Sequence, residues 1–157
     1  MVHATGDSNA VVLNRLQALI KAQDTRMNIY KEFNDAFQDY LHDRCPEEQY
    51  LSICRIATEG FQEVSSEVQT IEQALAEEGR NDLSQAVRRL QEKEKDKLQL
   101  TVHLQIYTIE SRKGEKDYDT TIQEHRERLD SAISDIGEIW DEIRQEAAEL
   151  SFAVAES

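Results

Sequence analysis

Apolar side chains recur along this chain at alternating steps of three and four residues. The first run is Leu13, Leu16, Ile20, Gln23, Met27, Tyr30, Asn34, Phe37 and Leu41, apolar at seven of nine positions. Such a step follows one stripe of an α-helix, because about 3.6 residues complete a turn. Asp7 and Ser8 both carry side chains able to cap a helix N-terminus. The spacing therefore predicts a helix over 8–43 with one narrow apolar seam, preceded by a flexible segment 1–7. Pro46 ends it and opens the next, since proline suits a first helical turn and is excluded from a helix interior.

The second run is Tyr50, Cys54, Ala57, Phe61, Val64, Val68, Ile71 and Leu75, apolar throughout. It predicts a helix over 46–78, with Gly79 as the C-terminal stop and Asn81 or Asp82 as the next cap. Gly60 lies inside this helix at a cost of roughly 1 kcal/mol against alanine, which points to the close approach of another helix. In the third run Leu83, Ala86, Leu90, Lys93, Lys97, Leu100, Leu104 and Tyr107 keep the step but include two lysines. Leu98, Leu100, Val102, Leu104 and Ile106 also alternate with polar residues, a strand signature. A helix over 82–112 is still expected, because Arg88 to Gln99 is rich in strong helix formers and no partner strand is evident. Apolar residues on several sides between Leu98 and Ile109 predict that this stretch is buried more completely than its neighbours. After Gly114 the step resumes with Tyr118, Ile122, His125, Leu129, Ala132, Ile136, Ile139, Ile143, Glu146 and Leu150. This predicts a fourth helix over 115–150 and a flexible tail 151–157.

Short connections make consecutive helices antiparallel. The expected fold class is all-α, an elongated antiparallel bundle or coiled coil of about four long helices in a single domain over 8–150. Helices of this length reach about 50 Å at 1.5 Å per residue. The pattern leaves open whether the bundle closes within one chain or as a homo-oligomer. Gln23, Asn34, Lys93 and Lys97 are polar seam residues of the kind that set register or oligomeric state.

Composition narrows the reading. The 157 residues are 39% hydrophobic and 32% charged, with five Gly and one Pro, so sheet-rich folds that spend turn residues freely are disfavoured. No stretch approaches eighteen uncharged apolar residues, and no membrane partner is expected. Two cysteines and no basic-then-apolar leader suggest an intracellular, reducing location with free thiols. The net charge of −14 divides into −1 over residues 1–45, −6 over 46–80, +2 over 81–114 and −9 over 115–157. A field of that sign repels polyphosphate, so autonomous nucleic-acid binding is not expected.

Reactive groups do not converge in the sequence. Cys45 and Cys54 stand nine apart without a CxxC pair, and His3, His42, His103 and His125 are scattered. Asp39 and His42 make a solitary acidic-x-x-His, whereas a di-iron bundle needs such a pair from each of two helices. His125 occupies a seam position and reads as a core histidine with its hydrogen bonds satisfied. There is no glycine-rich phosphate loop and no strand–elbow–helix serine motif. No catalytic, cofactor-binding or metal residue is assigned, and the expectation is a protein that is not an enzyme and carries no cofactor. The candidate basic patch is Arg88, Arg89, Lys93, Lys95 and Lys97, interleaved with Glu92, Glu94 and Asp96 so that pairing within the helix neutralises much of it. Asp135, Glu138, Asp141, Glu142, Glu146 and Glu149 read as a solvated outer face of the fourth helix.

Several segments carry a family likeness. Arg15-Leu16-Gln17-Ala18-Leu19, Ala22-Gln23, Arg26 and Phe37-Gln38-Asp39-Tyr40-Leu41 resemble the "required for excision 1-B" domain family, which is associated with DNA repair. So do Tyr50-Leu51, Ala57-Thr58, Phe61, Ser66-Glu67-Val68 and Ile71-Glu72, then Val87-Arg88-Arg89-Leu90-Gln91 with Glu94 and Lys97-Leu98. The tail from Ala132-Ile133-Ser134-Asp135-Ile136 to Leu150 is similar too, and the resemblance covers most of residues 13–150. It implies a nuclear role in the response to DNA damage and supplies no catalytic residues.

These observations point to a non-enzymatic protein–protein interaction module, an accessory or scaffold subunit that presents helical faces to protein partners. Leu19, Ile53, Ile56, Ile133 and Trp140 flank the seams and form the candidate partner surface, provided they are exposed in the free chain. The alternative is a structural coiled-coil component of a cytoskeletal, ciliary or axonemal assembly.

Overall fold

The computed structural model describes residues 2–114 and 116–156, with side chains from Ser8 onward. Four helices follow one another: α1 (Val2–Leu41), α2 (Glu47–Glu77), α3 (Asn81–Arg112) and α4 (Asp119–Glu156), and no strand occurs among the described residues. The fold is an all-α helical bundle. The alternating stretch Leu98–Ile106 lies inside α3, so the helix formers around it outweigh the two-residue period. The helix ends differ from the sequence expectation. Residues 2–7 and 151–156 are helical rather than flexible, and α4 begins at Asp119. Met1, Ser157 and Glu115, where the fourth helix was expected to start, lie outside the described residues. Ser8 is not a cap. It sits within α1 and its hydroxyl donates to the Glu78 carboxylate at 2.9 Å.

The helices form two compact units, to which α3 and α4 each contribute. One unit comprises the residues up to Arg88 together with those from Asp141 onward. In it α1 and α2 run antiparallel, joined across their seam by aromatic contacts. Tyr30 meets Phe61 at 4.6 Å between ring centroids, and Tyr40 stacks on Tyr50 at 5.0 Å with planes 5° apart. Gly60 permits the close approach its position implied, because a Cβ there would stand 3.0 Å from Ile29 Cδ1. Leu16, Leu19, Val68, Leu75, Val87 and Ile143 are at most 1% exposed and form the innermost core.

The seam of α2 is the predicted one. Tyr50, Ala57, Phe61, Val64, Val68, Ile71 and Leu75 are all buried, and Cys54 is half-buried. The seam of α1 is the predicted one only at Leu13, Leu16, Tyr30 and Phe37. The buried stripe runs Val12, Leu16, Leu19, Ala22, Arg26, Tyr30, Phe33 and Phe37, so the expected Ile20, Gln23, Met27 and Asn34 each lie one residue past it. Arg26 explains the misreading, because a charged residue occupies a core position. The whole residue is buried, and its guanidinium donates to Gln23 Oε1 at 3.1 Å.

Both reversals in this unit use the same closure. At the end of α2, Gly79 adopts φ 76°, its N–H donates to Ala76 O, and that of Arg80 donates to Leu75 O. At the end of α1, Asp43 takes the left-handed position at φ 59° with the corresponding bonds to Tyr40 O and Asp39 O. Arg80 then ties the second reversal to neighbouring carboxylates, donating to Asp82 at 3.0 Å and to Glu146 of α4 at 2.6 Å.

The other unit is the antiparallel hairpin Arg89–Trp140, built from the rest of α3 and the start of α4. Lys93 pairs with Asp135 at 3.2 Å, and near the turn Tyr107 packs on Tyr118 with centroids 5.0 Å apart. Leu98, Leu100, Val102 and Leu104 are only half-buried and Ile106 is 44% exposed, which corrects the expectation of unusually complete burial. Within this hairpin α3 faces a single helix, and one helix covers one stripe of its neighbour.

Candidate protein-interaction surfaces

The two surfaces read from the sequence fare differently. Of the five candidate partner residues, Ile56 is 59% and Ile133 45% exposed, and Ile53 is half-buried. Leu19 at 1% and Trp140 at 4% are core residues, and neither can meet a partner. Leu19 belongs to the displaced seam of α1. Trp140 adjoins Ile139 on α4 and joins Ile136 and Ile143 in a stripe two residues wide, broader than a three-and-four step reveals. Met27, Leu51, Ile106 and Phe152 are also exposed, at 48, 54, 44 and 73%. No periodic signal singles out Leu51 or Phe152, since isolated surface apolar residues are common.

Two residues of the basic patch are engaged with acids on other helices. Arg88 donates to Glu72 of α2 at 3.2 Å, and Lys93 is held by Asp135. Arg89 and Lys97 also have partners, and Lys95 is exposed. The acidic run of α4 is likewise not wholly a solvated face. Asp135 and Glu146 anchor Lys93 and Arg80, and Arg144 lies 3.9 Å from Asp141.

The remaining polar groups sit apart. His42 Nδ1 bonds Gln38 O at 2.8 Å while Asp39 bonds Arg44 at 2.9 Å, so the acidic-x-x-His pair is divided between two other partners. Cys54 lies against Tyr50. Burial pushes its thiol up, opposed by the hydrogen bond between them, and burial followed by that same bond holds the Tyr50 phenol well above its ordinary range. In the hairpin unit His125 donates from Nδ1 to Thr121 O at 2.9 Å. Its ring meets Tyr107 edge-on at 5.2 Å and His103 at 5.9 Å. These three rings line an open groove of ≈ 530 Å³ together with Lys93, Asp96 and Arg128. Among the described residues no group of three or more His, Cys, Asp or Glu could hold a metal ion, and no helix is long and apolar enough to cross a membrane.

Comparison with known proteins adds two findings. The family model described as DNA repair REX1-B matches residues 14–108. The chain is also 34% identical over 128 residues to the heterochromatin silencing protein rss1 of Schizosaccharomyces pombe, covering 82% of this chain and 94% of that protein.

Proposed function

The chain belongs to the DNA repair REX1-B family, and on that footing we propose that it is a non-catalytic interaction module of a nuclear chromatin or repair complex. The observation that carries the reading is the exposure of Ile56 at 59% and Ile133 at 45%, each held rigidly on a helix whose seam is already filled. Such side chains stay in water in the free chain and gain roughly 25 cal/mol per Å² when a partner covers them. The family supports a repair setting, and the silencing relative supports a chromatin one. The protein acts as an accessory or scaffold subunit that engages partners through its helical faces.

Affinity purification of the native protein, with localisation of a tagged copy, tests this. The expected result is a nuclear protein recovered with chromatin or repair components in stable stoichiometry. Decoration of filaments or cilia alone, with no nuclear pool, would overturn it in favour of a cytoskeletal role.

A further inference from the structure

One flank of the α1–α2 hairpin leaves apolar side chains uncovered beside charges that the chain does not balance. Ile56 is the most exposed of the large aliphatic residues of α2, and Ile53 and Ile29 are half-buried. Ile53 and Ile56 precede Gly60 by seven and four residues, so they lie two turns and one turn before it on the same side of α2. At Gly60 itself Ile29 of α1 comes within 3.0 Å of the position a Cβ would take. The three isoleucines therefore edge one apolar strip along the hairpin. From Ile56 the steps of three and four lead to Glu59, Glu63 and Glu67, all exposed, and Glu32 stands one turn beyond Ile29 on α1, also exposed. Among the described residues none of these four carboxylates makes an ion pair or hydrogen bond. Like charges four apart on a helix oppose one another, so Glu59, Glu63 and Glu67 repel along the row.

We propose that this flank docks a basic amphipathic helix, with apolar residues over Ile29, Ile53 and Ile56 and lysines or arginines along the glutamate row. The proposal rests on the reading of the chain as an interaction module and names the chemistry of the partner. Charge sign selects the occupant. A second copy of this chain would set the same carboxylates against each other in a two-fold pairing, and nucleic acid would bring phosphates to them. A partner helix with apolar residues at three-and-four spacing matches a ridge that itself runs at that spacing, the helix-in-groove mode of recognition.

The test uses the full chain and three labelled synthetic peptides, followed by fluorescence anisotropy at low and high salt. One is a helix with leucines on one face and lysines on the other. The second has glutamate for every lysine, and the third has serine for every leucine. The leucine–lysine peptide is expected to bind and to weaken with salt, and the other two are not expected to bind. Ile56→Asp should lower affinity roughly tenfold or more, and a combined Glu59→Gln, Glu63→Gln, Glu67→Gln variant should lose most of the salt dependence. Glu138→Gln with Glu149→Gln, on α4, should change nothing. All these positions are exposed, and unchanged helicity and melting temperature verify that each variant is folded. Equal binding by the acidic peptide, or unchanged affinity in Ile56→Asp, overturns the proposal. So does an equal loss in the α4 variant, or a dimer in sedimentation that Ile56→Asp dissolves. Native purification with Ile56→Asp separates the two readings. Nuclear partners retained without peptide binding remove this docking flank alone, whereas a wild-type protein without nuclear partners removes the module itself.

Discussion

Gly137 stands in the exposed interior of α4, and a Cβ built on it meets nothing within 4 Å. Glycine there loses backbone freedom on folding and contributes no contact in return. Gly137→Ala is expected to stabilise the chain by about 1 kcal/mol, measured as a higher urea midpoint with unchanged slope. Gly79 and Gly114 look equally open but have φ 76° and 74°, where a side chain is strained, so the same substitution would not help. Three glycines alike in the sequence thus differ in backbone conformation. Punctuation between helices disclosed Gly79 and Gly114, and an interior place in a heptad pattern disclosed Gly60. Nothing in the sequence says that the space beside Gly137 is empty.

At the scale of the element, α2 was legible throughout and α1 only in part. Every seam position of α2 is apolar and its neighbours are mostly polar, so only one register buries the stripe. Phe61 fills that seam against Tyr30. Phe61→Ala is expected to cost about 3–5 kcal/mol in a denaturant titration, and a loss below 1 kcal/mol would contradict this packing. One residue earlier, on the flank, Gly60→Leu should overpack Ile29 and lower stability by about 1–3 kcal/mol in the same measurement. On α1 the pairs Leu19-Ile20 and Ala22-Gln23 offer two stripes of similar hydropathy, and Arg26 sits where the true one passes. A pattern that treats arginine as surface steps over that position. The hydrogen bond from its guanidinium to Gln23 helps to make that burial acceptable.

At the scale of the whole molecule, Tyr50 is one of the titratable groups whose environment links pH to folding. Tyr50 is buried against Phe37, Tyr40 and Cys54, and its phenol is held above its ordinary value of 10.0 chiefly by burial. The folded state therefore keeps this proton after the unfolded chain has released it. The stabilising contribution is complete below about pH 10 and is lost as pH rises beyond that. Thermal melts should show a fall in melting temperature above pH 10 that is smaller in Tyr50→Phe. An identical fall in both proteins would assign the alkaline transition to other groups. The candidate interaction site was only partly legible at this scale. Ile56 and Ile133 meet the condition of exposure set for that surface, whereas Leu19 and Trp140 flank their seams in sequence and are covered in space.

What the order of residues determined by itself is the number of helices, their breaks at Pro46, Gly79 and Gly114, and the inward face of α2. These follow from local sterics and from the period of the helix, which act over a few residues. Tertiary structure decided the rest. It set which of two stripes α1 buries, that Ser8 reaches Glu78 rather than capping, and that Asp135 and Glu146 hold cations across the bundle. It also left Glu59, Glu63 and Glu67 without such a cation. Burial and ion pairing depend on which helix lies opposite, and residues remote along the chain supply that neighbour.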